Sequence, residues 1–388
     1  MGGGLSPAGD GLTVARCSGL AALARESAGW QRLCADAMPP CNEPAWTLAH
    51  AAAFRGADDV FALAVRDERG ELVGWLPLAR EPGRAWWALR RARHAADGHF
   101  DSEMLEPLCA RGREREIVAA LLTALARERG LHALVLSCAP VGSAPTRALL
   151  DAVAARGWPL RREPRTYLVA PLEPSFEETL AKLRSRVRSK LRQALRSIDE
   201  RGARARFVER ADELAPALDA LYELHQARWN AEGRPGSFAD ARRRAFYARW
   251  TADALAAGRL RLALLERDGR ALAAQIGIAT PASNGAATPG ASDAATPASS
   301  GGARPSTYTQ IQEGYDPRES EWRPATALRA WAVRALCEQG VRQLDFQEGD
   351  APHKRDWGGV EVPCETLVVA LPRWRARAEF ALRARLGR

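Results

Sequence analysis

Leu260-Arg-Leu-Ala-Leu-Leu-Glu-Arg-Asp-Gly-Arg-Ala-Leu-Ala-Ala-Gln-Ile-Gly-Ile-Ala-Thr280 is the stretch on which the fold turns. Two apolar runs, 260–266 and 272–280, flank Arg267-Asp-Gly-Arg270, the chemistry of a tight antiparallel hairpin. The same grammar occurs earlier, where 60–66 and 72–78 flank Asp67-Glu-Arg-Gly70. Working outward, each hairpin sits in a similar order of elements. Around the first lie a strand at 12–17, helical patterns at 20–35 and 43–54, strands at 85–91 and 103–109, a helix at 114–129, an apolar strand at 133–137 and a helix ending before Gly157. Around the second lie a strand at 167–172, a long helix at 176–200, a strand at 205–208, helices at 212–231 and 239–257, a strand at 307–314, a helix at 326–339, and strands at 343–347 and 365–371. The pattern predicts an α/β (α+β) chain of two domains, 1–160 and 161–388. Each is expected to be a mixed, largely antiparallel twisted sheet flanked by helices rather than a doubly wound parallel one. Residues 281–306 are almost wholly Ala, Ser, Thr, Pro and Gly and predict a disordered insertion at a hairpin tip.

The 388 residues, 46% hydrophobic and 27% charged, are enough for about two domains and exclude a single small binding module. Of the 56 basic residues only Lys182, Lys190 and Lys354 are lysines, a ratio that reads as GC-rich coding rather than a use of arginine as such. The formal charge of +9 favours an anionic partner such as a phosphorylated cofactor, nucleic acid or a membrane surface. Seven cysteines with no C-x-x-C pair and no cysteine/histidine cluster predict reduced thiols and no metal site. The start, Met1-Gly-Gly-Gly-Leu-Ser-Pro, has no basic region followed by an apolar run, and no stretch is long and apolar enough to span a bilayer. A cytoplasmic location is expected.

Three stretches offer chemistry. Residues 182–196 hold seven basic side chains and no acid, with Leu180, Leu183, Val187, Leu191, Leu195 and Ile198 at helical spacing. One face must pack while the other is either solvated or an anion-binding surface. In the second, Leu214, Leu218, Leu221, His225 and Trp229 form one stripe, which makes His225 a core histidine first and a substrate contact with Trp229 second. The third runs from Tyr308 to Trp357. Tyr308, Gln310 and Gln312 share a face by period two, Asp345 lies in the next strand, and His353, Lys354 and Trp357 follow. Polar groups gathered at the ends of adjacent strands are where a cleft is built. Between the strands, Trp322-Arg-Pro-Ala-Thr-Ala-Leu328 opens a helix whose free N–H groups suit a pyrophosphate, or are simply a proline-initiated start.

These stretches, with Arg234-Pro-Gly236 and the Asp345–Trp357 motif, resemble the CelD-like acetyltransferases of the GNAT superfamily, linked to cellulose and exopolysaccharide production and related to the FemABX peptidyltransferases. The resemblance implies two tandem GNAT-like domains and a GNAT-type N-acyltransferase. It implies acetyl-CoA or another acyl-CoA held by Arg323, Ala325, Thr326 and Ala327. The acceptor would be an amino group of a sugar or cell-envelope precursor, with His225, Trp229, Gln310, Gln312 and Trp357 around it. The family loop usually carries glycine where this chain has Ala325 and Thr326, and a Cβ limits approach of backbone to phosphate.

Acyl transfer to an amine asks for a base, oxyanion donors and positioning. Asp345 suits the base, Lys354 charge stabilisation, and Tyr308 or His353 the return of a proton. Two alternatives stay open: a FemABX-like enzyme using aminoacyl-tRNA, and a non-catalytic accessory protein of an envelope-polysaccharide complex. In the second, the 373–388 segment, with six arginines, Trp374 and Phe380, would meet anionic lipid or protein as a peripheral amphipathic helix.

Overall fold

The computed structural model describes residues 6–8, 11–34, 40–81, 88–98, 101–282 and 305–385. They form two units, one holding the described residues up to Thr166 together with those from Val362 onward, the other those from Tyr167 to Glu361. Each is a mixed sheet flanked by helices. Among the described residues no helix is long and apolar enough to cross a membrane, no group of three or more His, Cys, Asp or Glu side chains could hold a metal ion, and no disulfide joins the cysteines. The predicted insertion at 281–306 falls largely on 283–304, outside the described residues.

In the second unit the strand order is Arg204–Phe207, Leu260–Arg267, Arg270–Thr280, Thr307–Tyr315, Gln343–Glu348, Tyr167–Pro171 and Val360–Glu361. The decisive hairpin closes through Asp268 (φ 52°) and Gly269 (φ 74°), with Arg267 opposite Arg270. Two successive positive φ angles are what a two-residue hairpin loop of this twist requires. All neighbours pair antiparallel except Thr307–Tyr315 with Gln343–Glu348, which run parallel only through Thr307, Tyr308 and Thr309 against Gln343, Leu344 and Asp345. Beyond that point the two strands part. The first unit repeats the device: Arg91–His94 and Ala133–Pro140 are its parallel pair.

Apolar spacing explains which helices cover the second sheet. Phe176, Leu180, Leu183, Val187 and Leu191 share a core with Ala330, Val333 and Leu336 of helix Pro324–Glu338 and with Ala170, Tyr308, Leu344 and Phe346 of the sheet. Each fully buried Leu or Phe there contributes about 1.5–3 kcal/mol. On strand Thr307–Tyr315 helix Ala211–Ala231 comes so close that a Cβ at Gly314 would overlap the backbone nitrogen of His225.

Several expectations need correction. The helix expected at 176–200 is two, Phe176–Lys182 and Ser185–Glu200, because the extended Leu183 enters the core while Arg184 turns out to pair with Asp356 at 2.7 Å. The strand expected at 103–109 shrinks to Leu108–Cys109, since the Asn42 side chain takes the Met104 carbonyl and the Glu106 N–H. Of the strand expected at 85–91, residues 85–87 lie outside the described residues, and the described strand there is Arg91–His94. An edge strand, Leu160–Arg165, was hidden by its arginines. The strand expected to end the second domain, Cys364–Ala370, instead lies in the first sheet between Ala133–Pro140 and Leu160–Arg165. Its Leu367 and Val369 are apolar enough to fill the centre of that sheet's core.

Candidate active site

The site is built where the parallel pair of the second unit opens. Leu344 and Phe346 point into the helical core, so alternation sends Asp345 to the opposite face. There its Oδ2 accepts hydrogen bonds from the Tyr167 hydroxyl (2.7 Å) and the Thr309 hydroxyl (3.2 Å), and its Oδ1 from the Gln347 N–H (2.8 Å). Asp345 is 5% exposed. Burial raises its carboxyl above the ordinary range, against the pull of those three donors and the charge of Lys354. Oδ2 has both lone-pair directions taken, while Oδ1 keeps one.

Lys354 is fixed in turn. Its Nζ donates to the carbonyls of Gln347 (3.1 Å) and Glu348 (2.5 Å), pinning the chain where Gln347 takes a left-handed φ of 60° and Gly349 a φ of 110°. The ammonium therefore holds the strand end that orients Asp345. Trp357, expected at the substrate, is buried in the helical core.

Tyr308, Gln310 and Gln312 do not share one face. Gly277 pairs with Gln310 and Ile276 with Gln312, so Ile311 is an extra residue, and this bulge resets the alternation. Gln310 faces helix Pro324–Glu338, where its Oε1 accepts from Arg329 Nε (3.2 Å) and its Nε2 donates to Glu313 (3.2 Å). Arg329 and Glu313 form a buried ion pair, with Arg228 3.7 Å from the other carboxylate oxygen. Burial opposes ionisation of Glu313, yet Arg329, His353 and Arg228 together hold its pKa below the ordinary value. Tyr308, fully buried, accepts from Gln275 Nε2 at 2.9 Å, and burial pushes its hydroxyl pKa well up. His353 lies against the Phe346 ring, and burial followed by the Arg329 charge brings its pKa down to about 4.

Gln312 lies instead on the His225 side. His225, 1% exposed, accepts at Nε2 from the Trp229 indole N–H (2.9 Å). Burial brings its pKa down to about 4, while the neighbouring Gln226 and Gln312 side chains act to raise it. A neutral imidazole that accepts at Nε2 carries its proton on Nδ1, so His225 presents a donor, and that atom is buried without a hydrogen-bond partner. Trp229 is flanked by the guanidinium groups of Arg228 and Arg234. The Pro235-Gly236 turn brings the chain onto this helix: Gln226 accepts from the Phe238 N–H, and a Cβ at Gly236 would overlap the Gln226 amide.

The bulge thus sorts the polar groups into two sets. Asp345, Thr309, Tyr167, Gln312 and His225 occupy one face, and Tyr308, Gln275, Gln310, Glu313 and Arg329 the other. Tyr167, Thr309, Gln275, Glu313 and Arg329 escaped the sequence reading. Only Arg329 left a signal, as a charge at a position where the helix pattern demands an apolar residue.

Residues 185–303 and 298–355 match the family model of the acetyltransferase (GNAT) domain. The described residues of that match lie within the second unit. No curated protein matches the chain by sequence. Among solved structures the fold is similar to that of FemX (TM-score 0.55, 13% identity, 79% of this chain and 87% of that one). It is similar to the C-terminal DUF2156 domain of an Agrobacterium fabrum protein (0.54, 12%, 92% and 94%) and to L-PGS from Bacillus licheniformis (0.51, 10%, 92% and 95%). At these identities the likeness is one of fold.

A GNAT domain generally binds acetyl-CoA, whose pyrophosphate needs several converging N–H groups. At the start of helix Pro324–Glu338, however, the Arg323 N–H donates to the Ser320 carbonyl, Pro324 has none, and the Thr326 and Ala327 N–H groups donate to the Arg323 carbonyl. Ala327 is also buried. Ala325 keeps the one unspent N–H of that turn among the described residues, beside the exposed side chain of Arg323, whose backbone is left-handed at φ 59°. This turn does not fit a pyrophosphate cradle.

Proposed function

We propose that the second unit transfers an acyl group to the amino group of a sugar or cell-envelope precursor, such as one for exopolysaccharide, at the open end of the parallel pair. The observation that carries the reading is Asp345: a buried carboxylate of raised pKa, with one lone pair left, at the point where the strands part. The amine nitrogen bonds to the donor's carbonyl carbon, the bond to the leaving sulfur or oxygen breaks, and the ammonium proton passes to Asp345 Oδ1 and thence to the leaving group. His225 Nδ1–H is the donor for the oxyanion on the same face. Lys354 acts as a positioning residue, and Tyr308 belongs to the structural network.

The donor reading favoured by the geometry is aminoacyl-tRNA rather than acyl-CoA, because the helix turn has a single open N–H. Calorimetry of the full chain with acetyl-CoA, against filter binding with aminoacyl-tRNA, tests it: tight acetyl-CoA binding with none to tRNA reverses the choice. Absence of both, with no turnover, leaves the accessory-protein reading, in which Trp374 (78% exposed) and Leu382 (58%) of helix Trp374–Arg385 meet a lipid or protein surface. Asp345→Asn should lower kcat/KM by about 10²–10⁴ while the fold persists.

A further inference from the structure

We propose a nucleotide-phosphate site in the second unit, in a recess of about 290 Å³ between helix Ser185–Glu200, edge strand Arg204–Phe207 and helix Pro324–Glu338. Three guanidinium groups from these three elements line it: Arg196, Arg204 and Arg334. The three side chains are exposed, and none has a hydrogen-bond or ion-pair partner among the described residues. The single acid in the wall, Asp199, leaves a net charge of +2. Like charges brought to one recess repel, and the electrostatic demand is for an anion that binds several guanidinium forks at once, as phosphate does.

The wall also holds the half-buried indole of Trp331, braced from behind by Phe207 with ring centroids 4.9 Å apart. A flat ring beside clustered guanidinium groups suits a nucleobase stacked near its own phosphate. The recess is distinct from the turn at Arg323. Arg334 lies eleven residues along the same helix, about 16 Å away at 1.5 Å per residue. The ligand class is therefore a phosphorylated nucleoside, whether the adenosine 3′,5′-bisphosphate end of a coenzyme or the end of an RNA strand. The site stands whether or not the unit transfers acyl groups.

Calorimetry of the full chain at low salt with adenosine 3′,5′-bisphosphate and with the trinucleotide CCA distinguishes the two sources, with inorganic pyrophosphate as the base-free probe. At least one nucleotide should bind with one-to-one stoichiometry, and the R196Q/R334Q double variant should weaken it at least tenfold with unchanged thermal melting. Trp331→Ala should weaken the nucleotide at least fivefold and pyrophosphate less than twofold. Equal binding by wild type and the double variant, loss of binding in Arg323→Gln instead, or no binding of either nucleotide overturns the proposal.

Discussion

Asp345 gains its character from three donors, and each can be removed singly. Tyr167→Phe takes one hydrogen bond from Oδ2 and should cost about 1–2 kcal/mol in urea unfolding. Because that bond holds the carboxyl pKa down against burial, its loss raises the pKa further, so the acid limb of the kcat/KM profile should move to higher pH. His225→Gln should lower kcat by about 10²–10³ if the imidazole N–H serves the oxyanion, with substrate affinity nearly unchanged. The sequence made Asp345, His225 and Lys354 visible because they stand out by type in their local patterns. It hid Glu313 and showed Arg329 only as a misplaced charge, because their meaning lies in a pairing across two elements. Lys354 was legible as important through its charge, whereas its donation to two backbone carbonyls depends on a fold of the chain that the sequence does not display.

At the scale of elements, one extra residue matters most. Ile311 turns a strand that would present three polar side chains to one ligand into a strand that serves two faces. No residue type announces a bulge of this kind, so period-two counting breaks there without warning. The hairpins were legible because Asp67-Glu-Arg-Gly70 and Asp268-Gly269 carry turn chemistry of their own, whereas the break at Leu183 depends on what its side chain packs against. Gly314 shows the cost of the tight helix contact. Gly314→Ala forces helix Ala211–Ala231 away from the sheet and should destabilise the chain by about 1–3 kcal/mol in thermal melting. Activity should fall more than stability alone explains, because His225 moves with the helix.

For the whole molecule, stability should depend on pH through its buried histidines. Burial holds His94 at about 3 and His225 and His353 at about 4, below the unfolded value near 6.5. Between those limits the unfolded chain binds more protons than the folded one, so stability falls as pH drops from about 6.5 toward 4. Asp345 and Asp97, raised by burial, act in the opposite sense, so denaturation midpoints from pH 7 to 4.5 measure the balance. His94→Gln should flatten the decline.

The two-unit plan was legible in the repeated hairpins, but the ownership of strands was not, because an apolar run such as 364–370 suits the middle of either sheet equally. In the first unit Cys364–Ala370 lies between Ala133–Pro140 and Leu160–Arg165; in the second, Tyr167–Pro171 takes the corresponding place between Gln343–Glu348 and Val360–Glu361. The units have traded one strand each. A chain truncated after Glu361 should therefore lose the folded first unit, seen as loss of cooperative melting.

The trade also sets a timetable. Arg165 and its sheet partner Cys364 are 199 residues apart, roughly 10–40 s of synthesis at ordinary elongation rates. During that interval the nascent first sheet has an open seam along Ala133–Pro140, and every residue of the second unit is made before the chain that closes it.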